Sequence, residues 1–104
     1  MAVQSKVISL LGLAMKSGNV VSGEYQVLEA VRKKKAKLVL VSEDASDNTK
    51  KLFSDKCAFY KVPVELYGTK EDLGRAIGKD LRSSLAVCEE NFASAIKKQL
   101  ELKM

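Results

Sequence analysis

The fold is decided by the stretch VVSGEYQVLEAVRKKKAKLVLV, residues 20–41. Its first two residues predict a brief edge strand, and Gly23 marks the turn from that strand into a helix. Val27, Leu28 and Val31 share one face of this helix, which ends in a run of cations. The continuous apolar run at 38–41 then predicts a central strand that is covered on both faces. A strand, a helix and a buried strand in immediate succession are typical of an α/β fold.

The same alternation continues on both sides of this stretch. A first helix carries apolar residues at positions 3, 7, 10, 11 and 14 and stops at Gly18. The later elements are a helix with apolar residues at 52, 53, 57 and 60 that stops before Pro63, a strand at 64–67, a helix that starts with a capping box at Thr69 and ends near Gly78, a strand at 85–88, and a final helix capped by Asn91. The sequence therefore predicts one domain over residues 1–104, a three-layer α/β/α sandwich with a small mixed four-stranded sheet.

The composition excludes most enzyme and metal classes. The chain has no histidine, so it lacks the usual general base at neutral pH and the commonest metal ligand. Cys57 and Cys88 have no second Cys or His at metal-ligand spacing, and their apolar neighbours predict that both are buried structural thiols. Neither GxGxxG nor GxxxxGK[ST] occurs. We therefore expect no catalytic residues, no bound metal and no cofactor.

The net charge indicates the class of partner, and the hydropathy pattern indicates the cellular location. The formal charge is +5, with a sequence pI near 9.3, which favours a polyanionic partner such as nucleic acid. No signal peptide and no apolar run of the length of a membrane span is present. We expect a cytoplasmic protein with no membrane partner.

Two loops are candidate binding elements. A helix N-terminus exposes backbone N–H groups and the positive end of the helix dipole, and Gly23 opens such a helix. Gly78 ends another helix just before a polar loop in which Lys79, Leu81 and Arg82 could close over a partner. We expect both loops to lie at one end of the sandwich. The alternative is that Gly23 and Gly78 are routine helix terminators.

A cationic cluster follows the helix that Gly23 opens. Arg32, Lys33, Lys34, Lys35 and Lys37 place five cations within six residues. The helix dipole favours cations at a C-terminus, and this accounts for part of the cluster. The number exceeds what a helix end needs, so we also predict contact with an external anion.

Four ordered blocks of the sequence resemble the L7Ae superfamily of ribosomal proteins, which binds kink-turn RNA. They are Ser22-Gly23-x-x-Gln26-x-x-x-Ala30-Val31, residues 36–41 followed by Glu43-Asp44, Lys61-Val62-Pro63-Val64, and Asp72-Leu73-Gly74-Arg75-Ala76-Ile77-Gly78. Within the superfamily, residues 18–24 and 43–51 most resemble the small bacterial YlxQ proteins. The resemblance covers nearly the whole chain and rests on the order and spacing of the blocks together.

The resemblance implies an α/β/α fold and a non-catalytic protein that binds a structured RNA, in particular ribosomal RNA, alongside ribosomal or translation-associated proteins. In kink-turn binders the first turn of the second helix enters the groove beside sheared G·A pairs, and a later loop contacts an extruded nucleotide. The RNA-binding residues expected on this basis, with the lysines added for their charge, are Gly23, Glu24, Tyr25, Gln26, Glu29, Lys33, Lys34, Lys35, Lys37, Lys79, Leu81, Arg82 and Ser83.

Three positions depart from the pattern of kink-turn binders. Glu24 replaces a Thr, Tyr25 replaces a small polar residue, and Glu29 replaces a Lys, whereas Gln26 keeps an amide that donates and accepts hydrogen bonds. Two carboxylates near phosphates oppose binding, while Tyr25 could stack on an unpaired base. These departures keep open an alternative, a protein-protein interaction module on the same fold.

Overall fold

The computed structural model describes residues 5–102, which form five helices and four strands in alternation. Val3, the first apolar residue of the predicted first helix, lies outside the described residues. The elements are α1 (Ser5–Lys16), β1 (Val20–Ser22), α2 (Glu24–Arg32), β2 (Leu38–Val41), α3 (Asp47–Tyr60), β3 (Val64–Leu66), α4 (Lys70–Ala76), β4 (Ser84–Val87) and α5 (Glu90–Glu101).

The four strands form one mixed sheet in the order β1-β4-β2-β3. β2 is parallel to β3, because α3 carries the chain back across the sheet between them, and β4 is antiparallel to both of its neighbours. β2 and β4 are therefore the central strands, and every residue in both is buried. This confirms the small mixed sheet and the central position of residues 38–41.

Alternation along the central strands divides the core into two layers. Leu38, Leu40 and Leu85 belong to the cluster formed with α1, α4 and α5. Val39 and Ala86 point to the other face and belong to the cluster formed with α2 and α3. The α/β/α sandwich thus follows from two apolar strands whose successive side chains serve opposite layers.

The helix caps partly match the sequence predictions. Thr69 forms the predicted capping box: its hydroxyl accepts from Asp72 N–H at 3.1 Å, and the Asp72 carboxylate accepts from Thr69 N–H at 3.0 Å. The prediction that Asn91 caps the last helix is wrong. The carboxylate of Glu89 accepts from Phe92 N–H at 2.8 Å, so α5 begins two residues earlier and Asn91 lies inside it.

The two cysteines differ in burial. Cys57 lies on the inner face of α3 and is fully buried, as predicted. Cys88 is only partly buried, because it follows the last residue of β4 at the margin of the core. None of the helices in the described part of the chain is long and apolar enough to cross a membrane.

Candidate functional site

The start of α2 differs from the starts of the three helices that follow it. The N-cap is Gly23, which has no side chain to accept a hydrogen bond, whereas Ser46, Thr69 and Glu89 cap α3, α4 and α5. The first hydrogen bond of the helix runs from Val27 N–H to the Gly23 carbonyl at 2.9 Å. The N–H groups of residues 24–26 therefore have no intrahelical acceptor and remain available to a ligand.

The backbone of Gly23 explains why glycine occupies this position. Its φ of 91° and ψ of 150° lie in a region that is essentially restricted to glycine. A Cβ built at Gly23 would meet no atom within 4 Å, so the space outside the turn is open. The turn therefore needs glycine for its conformation, and the open space allows another molecule to approach the backbone.

The loop at 79–83 lies beside this turn. The Nε–H of Arg82 donates to the Ser22 hydroxyl at 3.0 Å, and Gly23 N–H donates to the Ser84 carbonyl at 3.2 Å. Ser22 pairs with Leu85 in the antiparallel ladder, so the end of β1 meets the beginning of β4. The two loops that the sequence analysis singled out are thus adjacent at one end of the sandwich.

Contacts with α4 fix the position of the loop. Lys79 N–H donates to the Gly74 carbonyl at 2.8 Å, and Arg82 N–H donates to the Lys70 carbonyl at 3.0 Å. A Cβ at Gly74 would lie 1.5 Å from the carbonyl oxygen of Asp80, so the loop packs directly against the helix backbone there. Sequence reasoning missed this role, although a glycine within a helical pattern is a signal for close packing.

Apolar and polar side chains are exposed together around the two loops. Tyr25 is 71% exposed and Leu81 is 61% exposed. Glu24, Gln26 and Lys79 are also exposed. An exposed tyrosine ring next to free N–H groups and an amide is suited to stacking and hydrogen bonding with an unpaired base.

The charge of Glu29 is neutralised within the helix. Its carboxylate pairs with the Arg32 guanidinium, and Lys33 Nζ lies 3.6 Å from its other oxygen. Glu29 therefore repels phosphate less than the sequence suggests. Lys33 is engaged by the same carboxylate, so its charge is partly neutralised as well.

The remaining lysines of the cluster lie beyond the C-terminal end of α2, away from the two loops. The nine residues of α2 span about 14 Å, and Lys34, Lys35 and Lys37 follow its far end. Lys37 N–H donates to the carbonyl of Val87, the last residue of β4, whereas the start of α2 is bonded to Ser84, the first. α2 therefore separates Lys34, Lys35 and Lys37 from the two loops.

The thiols are poor nucleophiles in this fold. Burial raises the pKa of the Cys57 thiol to about 11. Burial also raises the pKa of Cys88, and the charges of Lys35 and Lys37 partly oppose that change. Within residues 5–102, no three or more acidic, cysteine or histidine side chains are grouped so as to hold a metal ion.

The chain is similar in sequence to known proteins. Residues 5–97 match the ribosomal protein L7Ae/L30e/S12e/Gadd45 family. The RNA-binding protein YlxQ of Bacillus subtilis (strain 168) is 48% identical over 87 residues, which cover 84% of this chain and 87% of that protein.

Two solved structures resemble the fold. A structure described as a protein with unknown function from Bacillus halodurans C has a TM-score of 0.91 and 39% identity, over 94% of this chain and 99% of that chain. The Giardia lamblia 15.5kD RNA binding protein has a TM-score of 0.80 and 21% identity, over 96% of this chain and 88% of that chain.

Proposed function

Because the chain belongs to the ribosomal protein L7Ae/L30e/S12e/Gadd45 family, we propose that it is a non-catalytic protein that recognises a structured, kink-turn-like RNA. The observation that carries the proposal is the contact between Arg82 and Ser22, which joins the 79–83 loop to the uncapped start of α2. The 48% identity to a protein named as RNA-binding supports the same function.

Each part of the site has a distinct task in this proposal. The free N–H groups of residues 24–26 bind acceptor atoms of the RNA, and the Gln26 amide bonds to base edges. Tyr25 and Leu81 contact an unstacked base, since both are exposed at this end of the sandwich. Arg82 and Lys79 supply positive charge for the phosphates.

The family also suggests the setting in which the protein works. Its description names ribosomal proteins, so we propose ribosomal RNA as the target class, and ribosomal or translation-associated proteins as neighbours in the cytoplasm.

Filter binding with two RNAs tests the proposal. One is a kink-turn stem, and the other is the same stem with its sheared G·A pairs replaced by Watson-Crick pairs. We expect tighter binding to the first RNA. Gln26→Ala should reduce this preference more than it reduces general RNA affinity. Gln99→Ala, on α5, is the matched control and should leave the preference unchanged. Equal affinity of the wild-type protein for both RNAs would remove the kink-turn proposal.

Glu24 and Tyr25 support a second candidate function, a protein-protein interaction module. An exposed carboxylate beside an exposed aromatic ring at the same turn is also suited to a protein partner. Failure to bind either RNA at low salt, together with recovery of one specific partner that Tyr25→Ala releases, would favour this function.

A further inference from the structure

We propose that the chain has a second RNA-contacting surface, at the end of the sheet opposite to the start of α2, and that it binds a single-stranded segment. This surface, the lysine cavity, is an open cavity of ≈ 330 Å³ whose lining includes Lys34, Lys37, Tyr60, Lys61, Pro63 and Glu90. It includes Lys34 and Lys37, two lysines of the cationic cluster that lie apart from the first site. The inference extends the proposed function but stands on different residues.

The cavity carries an excess of unpaired positive charge. Three lysines line it against one acid, Glu90. In the described part of the chain, Lys34, Lys37 and Lys61 form no salt bridge, whereas Lys33 is paired with Glu29. These ammonium groups are therefore available to phosphates, and binding should release counterions.

The helix dipoles account for only part of this charge. The dipoles of α2 and α3 favour a cation after each helix, and Lys34 and Lys61 fill those positions. Lys37, however, follows neither helix end directly, since it precedes β2. Lys34 and Lys61 also have φ angles of 62° and 61°, in the left-handed region where glycine is the unstrained choice. The chain thus holds two lysines where backbone conformation alone favours glycine.

Aromatic rings adjoin the lysines. Tyr60 lines both the lysine cavity and a neighbouring cavity of ≈ 550 Å³, which Asp55, Lys56 and Phe59 also line. The Asp55 carboxylate there is paired with Lys51 at 3.3 Å. Phe59 is 75% exposed, and its ring meets that of Tyr60 edge to face at 4.8 Å. An exposed aromatic ring beside a cationic cavity is typical of surfaces that stack unpaired bases while binding the backbone. An acidic peptide would satisfy the lysines but would leave the Phe59 ring without a role, so RNA is the better occupant.

Fluorescence anisotropy with labelled oligouridylate of about ten nucleotides tests the charge requirement. The test variant is Lys34→Gln/Lys37→Gln/Lys61→Gln. The matched control is Lys6→Gln/Lys97→Gln/Lys98→Gln, which removes the same charge from α1 and α5. We expect the test variant to lose about tenfold or more in affinity and its salt slope to fall by about 2, while the control changes both far less. Equal losses in the two variants would mean that the net charge alone is responsible, and would overturn the proposal.

Phe59→Ala tests the stacking requirement separately. Because Phe59 is exposed, its replacement should leave the fold intact, which a thermal melt checks. We expect about fivefold weaker binding of the oligouridylate with an unchanged salt slope. Leu13→Ala, which truncates an exposed apolar side chain on α1, should have no effect. If Phe59→Ala binds as the wild-type protein does, the assignment to single-stranded RNA fails.

Two further outcomes separate this inference from the function proposed above. The triple cavity variant should keep its preference for the kink-turn stem over the G·A-disrupted stem. If the wild-type protein lacks that preference but binds oligouridylate through the lysine cavity, only the first proposal fails. Stronger cavity-dependent binding of polyglutamate than of oligouridylate would instead identify a docking surface for an acidic protein and overturn the RNA assignment.

Discussion

The Nε–H of Arg82 donates to the hydroxyl of Ser22 at 3.0 Å, although the two residues are 60 positions apart in the chain. The same guanidinium donates through Nη1 to the Leu81 carbonyl at 2.9 Å. Arg82 thus holds its own loop in shape and attaches that loop to the residue just before the α2 turn. This contact fixes the relative position of the two loops to which we assign RNA binding.

Ser22→Ala should loosen the site without changing its charge. The substitution removes the acceptor for Arg82, so we expect a 2- to 10-fold increase in Kd for the kink-turn stem, the equivalent of about 0.5–1.5 kcal/mol. The salt dependence should be unchanged, because the guanidinium remains. Ser54→Ala, at an exposed position on α3, is the control. Filter binding over a range of salt concentrations measures both quantities, and a changed salt slope for Ser22→Ala would contradict this role.

Gly74→Ala should displace the loop. Its Cβ would lie 1.5 Å from the Asp80 carbonyl oxygen, so we expect a loss of about 1–3 kcal/mol in the free energy of unfolding and weaker RNA binding by the folded protein. Gly12→Ala, in α1, is the matched control, since its Cβ would meet only the Ala76 carbonyl, at 3.5 Å. Urea denaturation should find Gly12→Ala neutral or stabilised by up to about 1 kcal/mol. Equal effects of the two substitutions would exclude a special role for Gly74.

Lys34→Gly should stabilise the fold. The φ of Lys34 is 62°, and glycine adopts this conformation without strain, so we expect a gain of about 1 kcal/mol in the free energy of unfolding. Lys35→Gly removes the same charge at a residue that has a negative φ, and should lower the same free energy. Thermal melts of the two variants distinguish a backbone effect from a charge effect. Shifts of the same sign would contradict the backbone explanation.

Alkylation rates should separate the two thiols. The pKa of Cys57 is raised to about 11 by burial, so the folded protein should react with iodoacetamide at Cys88 first and at Cys57 only after denaturation. Lys35→Gln/Lys37→Gln should slow the reaction of Cys88, because both lysines lower its pKa. The control variant Lys97→Gln/Lys98→Gln should leave the reaction rate of Cys88 unchanged. Mass spectrometry of partial digests measures these rates, and comparable labelling of Cys57 in the folded protein would contradict its burial.

Local signals predicted most of the fold. The apolar run at 38–41 predicted a central strand, and Thr69 with Asp72 predicted a capping box, because each depends on residues that are close in sequence. The cap of α5 was mispredicted for a local reason. Glu89 is a less common N-cap than Asn, so the sequence favoured Asn91.

The arrangement of the site was harder to predict from the sequence, because it depends on the order of the strands in the sheet. Nothing in periodicity shows that β4 lies between β1 and β2, and this order is what brings Arg82 to Ser22. In the same order, Lys37 N–H donates to the carbonyl of Val87 at the last residue of β4, whereas the first site adjoins Ser84 at its first residue. Lys37 therefore lies away from the first site. The lysines after α2 are close to the α2 turn in sequence, but the fold places them at the other end of the helix.

NMR chemical-shift mapping tests the central claim most directly. The ¹⁵N-labelled protein is titrated with a kink-turn stem that has no single-stranded tail, and its amide resonances are followed. The account predicts that the largest shifts fall on residues 24–26 and 79–83, with smaller ones at Lys34, Lys37 and Lys61. Shifts confined to α1 and α5, or an absence of shifts at residues 24–26 when the RNA is bound, would contradict the assignment of this end of the sandwich as the RNA-binding site.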